Sequence, residues 1–132
     1  KAGVAGVALF DAYPASMNRL AERLRTYYPG LKISVGSMDP AGFDVVVNAT
    51  PLGMKEGDPL PMDVSRISPS AFVGEVVMKQ EITPFLAAAR ERGCAIQIGT
   101  DMLFEQIPAY LEFFGFRSTT PDELRTIAQI SY

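Results

Sequence analysis

The stretch that most constrains the chain is Asp44-Val45-Val46-Val47-Asn48-Ala49-Thr50-Pro51-Leu52-Gly53-Met54. Three consecutive β-branched residues in so short an apolar run make a strand, and continuous apolarity predicts one buried on both faces, as in a parallel sheet. The run breaks at Asn48 into small and turn-forming residues, Ala49, Thr50, Pro51 and Gly53. A parallel strand that ends this way opens onto the crevice at the carboxyl edge of an open α/β sheet, where such folds bind their ligands. Asn48 and Thr50 offer side-chain hydrogen-bonding groups to that crevice, and Ala49 and Gly53 leave room for a flat ligand. A plain strand-to-loop exit accounts for the same residues with no ligand at all.

The flanking sequence alternates strands with helices. Residues 7–10 form a short apolar strand ending at Asp11, and Pro14 opens a helix at its first position. Met17, Leu20, Ala21, Leu24 and Tyr28 give that helix a buried stripe, and Pro29-Gly30 stops it. Leu31, Ile33 and Val35 alternate with polar residues as a second strand, and a short turn or helix over 39–43 leads into the central one. Residues 50–70, with Pro51, Pro59, Pro61 and Pro69, make a long irregular loop of the kind that often carries function. A strand over 72–77, a helix capped by Thr83-Pro84 and ended by Gly93, and a strand over 94–98 follow. Gly99-Thr100-Asp101 turns into a long apolar helix through Phe114, and Thr120-Pro121-Asp122-Glu123 is a capping box for a last helix to about Ile130. Lys1-Ala2-Gly3 reads as the final turn of a helix and its glycine cap. The alternation predicts an α/β fold, a Rossmann-like parallel sheet with helices on both faces.

With 132 residues and 48% hydrophobic residues, the chain has enough for one domain and its core. Its net charge of −3 and pI near 4.9 argue against a nucleic-acid partner, and no apolar run approaches the ~20 residues of a membrane span. No signal peptide is visible, and a single cysteine, Cys94, fits a reducing, cytoplasmic setting. The absence of histidine removes Ser-His and Cys-His nucleophiles and argues against zinc.

Asp11 ends a strand just before a helix. In a dinucleotide-binding fold an acidic residue there accepts hydrogen bonds from the adenosine ribose hydroxyls and repels a 2′-phosphate, which favours NAD over NADP. Alternatively, it is a helix-start aspartate that stabilises the positive end of the dipole. The glycine fingerprint belongs ~20 residues before such a carboxylate, which here falls upstream of Lys1. The chain is therefore expected to lack the first strand and the glycine-rich phosphate loop, and to be an N-terminally truncated nucleotide-binding domain. The exposed edge left behind is expected to favour self-association, making a homo-oligomer. Gly99 lets a ring approach the backbone or merely suits its turn. Gln106, two helical turns further on, donates to a substrate hydroxyl or faces solvent. Cys94 reads as a small core residue, Met54, Met62, Met78 and Met102 as packing, and Lys79 as a solvated lysine.

Taken together, these residues resemble the C-terminal nucleotide-binding domain of the shikimate dehydrogenase family, including its quinate/shikimate members. Asn48-Ala49-Thr50-Pro51-Leu52-Gly53-Met54 resembles the family's Asn-Ala-Thr-Pro-x-Gly-Met segment, and Asp58-Pro59-Leu60-Pro61 the loop after it. Val73-Gly74-Glu75-Val76-Val77 and Thr83-Pro84-Phe85-Leu86 resemble the next strand and helix start. Gly99 to Gln106 is similar to Gly-x-x-Met-Leu-x-x-Gln.

The resemblance implies hydride transfer between a ring hydroxyl of shikimate, quinate or a relative and a nicotinamide cofactor. It implies cofactor contacts at Asp11, Asn48, Ala49, Thr50, Val76 and Gly99, and substrate contacts at Met78 and Gln106. The family has Asn-Arg-Thr/Ser in its NADP-using members where this chain has Asp11-Ala12-Tyr13, so NAD is the expected cofactor and NADP the alternative. The catalytic Lys and Asp of the family lie in an N-terminal substrate domain that has no counterpart here, so the chain alone is expected to be inactive. Met78 stands where many members have tyrosine, which removes a hydroxyl donor and leaves the substrate open. A non-catalytic nucleotide-binding or regulatory module of the same fold is the rival reading, since fold alone does not fix function.

Overall fold

The computed structural model describes residues 3–130. The helix end expected at Lys1 and Ala2 lies outside the described residues, and Gly3 itself has φ +76°. The chain divides into two compact units, Lys1–Asp39 and Pro40–Tyr132.

The first unit is β1 (Gly6–Leu9), α1 (Pro14–Tyr27) and β2 (Lys32–Val35). β1 and β2 pair in parallel, Val7 opposite Ile33 and Leu9 opposite Val35, joined by the helix that a parallel connection calls for. Proline at the first position of α1 and Pro29 beyond its end set the helix limits. The expected stripe is only partly buried. Ala21 is fully buried and Met17 and Leu24 half-buried, but Leu20 and Tyr28 are exposed. The apolar stripe of a helix is about 100° wide, and a two-stranded sheet is too narrow to cover it.

The second unit holds β3 (Val45–Asn48), β4 (Phe72–Glu75), α2 (Pro84–Glu91), β5 (Ala95–Gln97), α3 (Gly99–Phe113) and α4 (Pro121–Ile127). The three strands form a parallel sheet in the order β3-β4-β5. α2 packs on one face, where Val46, Val73, Phe85, Leu86, Ala89 and Ile67 make the core. Arg92 donates from Nε and Nη2 to the Ile67 carbonyl, at 3.1 and 3.0 Å, pinning the end of the long loop to the end of α2. Cys94 is a buried core residue whose Sγ donates to the Ser68 carbonyl. Beyond the sheet, Arg125 of α4 bonds Asp101 and Glu105 of α3 and lies over the Phe104 ring.

The strands form two parallel ladders, and among the described residues no strand hydrogen-bonds to both β1 and β3. The expected burial of the central strand on both faces is corrected. The central strand is buried on one face only. Val46 and Asn48 point toward α2, whereas Val45 and Val47 are 57% and 53% exposed, because among the described residues of this unit no helix covers their side of the three-stranded sheet. Phe72, in register with Val45, shares that exposed face. Helices on both faces are thus not observed for this sheet. Met54 and Met78, expected in packing, are likewise exposed, each lying in a segment outside the strands and helices.

Candidate functional site

Parallel register brings the ends of β3, β4 and β5 to one edge, with Asn48 opposite Glu75 and Gly74 opposite Gln97. The turn that leaves β3 is built by Asn48. Its Oδ1 accepts from the Thr50 amide at 3.1 Å and the Thr50 hydroxyl at 2.7 Å, and its Nδ2 donates to the Leu52 carbonyl at 3.0 Å. Thr50 Oγ1 in turn accepts from the Leu52 amide. This is the local side-chain competition for backbone groups that makes Asn a turn residue. Asn48 is 1% exposed, so its groups shape the turn from inside rather than standing free in the crevice as expected. Thr50 is half-buried, and Ala49 is the exposed member of the three.

The turn continues into a braced loop. Gly53 has φ +98°, a left-handed conformation that favours glycine. Its amide and that of Lys55 both donate to Asp58 Oδ2, and its carbonyl accepts from Gln80 Nε2. The segment after β3 is thereby tied to the segment after β4. Together they border a groove of about 490 Å³ lined by Leu52, Met54, Asp58, Lys79, Pro84 and Phe85, among others. None of the expected nucleotide residues line it, so we place the candidate site at the strand ends, where parallel sheets bind ligands.

At the next strand end the Val76 amide donates to the Asn48 carbonyl at 3.1 Å, extending the β3–β4 ladder by one bond. Gly99 begins α3 directly against this segment. A Cβ on Gly99 would stand 2.0 Å from the Val77 carbonyl oxygen and 2.7 Å from its carbon. The missing side chain therefore makes room for the Val76–Val77 backbone, a close approach that only glycine allows. Both readings of Gly99, ring approach and mere turn, missed this reason. Asn48, Thr50, Val76 and Gly99 are brought together. Met78 is exposed two residues beyond Val76, and Gln106 is half-buried on α3 with its Oε1 accepting from the Tyr110 hydroxyl at 2.8 Å.

Asp11 belongs to the first unit. Its Oδ1 accepts from the Tyr13 amide at 2.7 Å, just before α1, whose N-cap, Tyr13, has no side-chain bond. It is half-buried, and that is the hydrogen bond of its side chain among the described residues.

Sequence reasoning passed over Glu75. It is 4% exposed, and neither carboxylate oxygen has a hydrogen-bond partner. Burial pushes its carboxyl above the ordinary carboxylate range, while Thr83 and Asn48, the two polar side chains lying against it, hold the rise back. Neither reaches hydrogen-bonding geometry with it. The signal was available: Val73, Glu75 and Val77 share one face at period two, and a charge in that series is out of place.

Among the described residues no cluster of His, Cys, Asp and Glu could hold a metal ion, and no helix is long and apolar enough to cross a membrane.

No family model matches the chain. It is 37% identical over 111 residues, 80% of its length, to the shikimate dehydrogenase (NADP(+)) of Paracoccus denitrificans, and the match covers 39% of that protein. Among solved structures it superposes on the quinate dehydrogenase of Corynebacterium glutamicum in complex with NAD with a TM-score of 0.78 at 30% identity, over 94% of this chain and 46% of that one. It superposes on the shikimate 5-dehydrogenase of Listeria monocytogenes in complex with shikimate and NAD with a TM-score of 0.81 at 25% identity, over 95% and 47%. The chain spans about two fifths of the length of the curated relatives it matches. By fold, ordered motifs and sequence identity, the chain belongs to the shikimate/quinate dehydrogenase family.

Proposed function

We propose that residues 1–132 are the nucleotide-binding domain of a shikimate/quinate-type oxidoreductase that moves hydride between a ring hydroxyl of shikimate or a relative and NAD(P), with NAD preferred. The observation that carries this reading is the Asp11 carboxylate at the end of a parallel strand. One oxygen is held by the Tyr13 amide and the other has no partner among the described residues. A fixed carboxylate with one oxygen to spare suits the diol of an unphosphorylated ribose. The Corynebacterium and Listeria structures, both with NAD, point the same way. NADP is the rival cofactor, favoured by the NADP(+) in the name of the Paracoccus enzyme.

The remaining roles follow the strand ends. Ala49 and Thr50 present the β3 turn, Asn48 holds it, and Val76 with Gly99 forms the adjoining surface for the nicotinamide, which when bound supplies the hydride acceptor. Met78 and Gln106 are the residues offered to substrate, with Met78 giving an apolar contact. Oxidising an alcohol also requires a base for the hydroxyl proton. Among the described residues we assign that role to none; in the family it belongs to a substrate domain.

The test joins the chain to the N-terminal part of the Paracoccus relative and assays reduction of NAD and NADP with shikimate and with quinate. Turnover with NAD ahead of NADP supports the reading, and D11A should lower NAD use about tenfold, roughly 1.4 kcal/mol, while sparing NADP. Nucleotide binding by calorimetry without turnover would favour a non-catalytic module.

A further inference from the structure

α3 is braced on one side by Arg125 of α4, which bonds Asp101 and Glu105 and lies over the Phe104 ring. Gln106 and Tyr110 lie off that side, and at four residues apart they are neighbours on the helix surface. Between them stands Pro108, inside the helix. Proline has no amide hydrogen, so the backbone bond to the Phe104 carbonyl is missing from this turn. Across the same turn the Tyr110 hydroxyl donates to Gln106 Oε1 at 2.8 Å. Tyr110 leaves its ring exposed, so it adds little to the core, and its hydroxyl is the part that is engaged. The Gln106 amide makes no other hydrogen bond among the described residues. A primary amide has one oxygen and two N–H groups. With the oxygen taken by Tyr110, two donors are what Gln106 has left to offer.

We propose that Tyr110 is a positioning residue: its hydroxyl holds the Gln106 amide so that both N–H groups are free to donate to an oxygen of the substrate. The second half of this statement rests on the function proposed above; the hold on the amide does not. Tyr110 touches no substrate and acts through Gln106. The terminal torsion of a free glutamine is broad, so an unheld amide offers its oxygen as readily as its nitrogen. An amide held by its oxygen selects a partner that accepts, such as a hydroxyl or ketone oxygen, and disfavours one that only donates, such as an ammonium. The orientation is set before the substrate arrives, so binding does not have to order that side chain.

The substitution Y110F keeps the ring and removes the hydroxyl. The hold is read from ¹⁵N relaxation of the Gln106 side-chain amide in the intact protein with no ligand bound. In Y110F its order parameter should fall by about a third or more. An order parameter equal to that of wild type overturns the proposal. The role toward substrate is read from kinetics in the joined enzyme of the test above. Y110F should raise the KM for the substrate it turns over, shikimate or quinate, about fivefold, with kcat and the KM for NAD kept within about twofold. In a Q106A background the same substitution should change none of the three, because the residue through which Tyr110 acts is gone. An unchanged substrate KM in Y110F, or an equal rise in the Q106A background, overturns the proposal. A joined enzyme that turns over neither substrate, while Y110F still loosens the amide, overturns the functional reading and supports the hold.

Discussion

Asp11 and Asn48 close the same kind of turn at the carboxyl ends of two strands, in opposite surroundings. Each side chain accepts, through Oδ1, the amide of the residue two positions on: Tyr13 at 2.7 Å and Thr50 at 3.1 Å. Asp11 stands near the surface and makes no other side-chain hydrogen bond among the described residues. Asn48 is buried and is engaged at both its oxygen and its nitrogen. A residue poised for a ligand is recognised by bonding capacity left over at the surface, and a residue that builds scaffold by capacity consumed in the core. Glu75, with capacity left over in the core, belongs to neither class.

The comparison predicts that the buried turn governs stability and the surface turn does not. The largest effect is expected from G99A, which forces a Cβ into the Val77 backbone beside the buried turn and should cost about 3 kcal/mol or more in urea unfolding. A loss below about 1 kcal/mol would show that the β4 exit yields freely. N48A removes the bonds to Thr50 and Leu52 and should cost about 2 kcal/mol.

Glu75 should give a smaller, pH-dependent difference. Its native pKa is raised above 4.5, so the native state holds more protons than the unfolded state between the two values. The stabilising neutral form is fully present below about pH 4.5 and is lost as pH rises through the native value. Wild type should therefore lose stability relative to E75Q as pH climbs above about 4.5, read from thermal melts in matched buffers. A constant difference across that range would mean the carboxyl is not desolvated. D11A should change stability least, by less than about 1 kcal/mol, because one near-surface bond is lost. Equal losses in N48A and D11A would erase the distinction between the two turns.

The helices and strands were legible because their signals are local. Pro14, Pro84 and Pro121 each stand at a helix start, and the Thr120–Glu123 capping box forms both of its bonds. Burial was less legible, because it depends on what lies across from a residue. Leu20 and Tyr28 have helical spacing but no layer of their unit wide enough to cover them, and Val45 and Val47 lack a helix on their side among the described residues of theirs. At the site, the importance of Asn48 could be read from its place at the end of an apolar run, but not that its side chain turns inward. The reason for Gly99 is not local, because the Val77 carbonyl it must clear is brought there by the sheet and not by neighbouring sequence.

The bond from Gln80 to the Gly53 carbonyl spans 27 residues of sequence and fastens the proline-rich segment after β3 to the segment after β4. Two segments that would each fluctuate alone are coupled into one body, with Asp58 gripping two amides of the first. Their disorder is surrendered when the chain folds, not when something arrives. A small molecule settling at this lip would meet a surface already in shape, and affinity gained from a few atoms there would not be drained by the ordering of a loop.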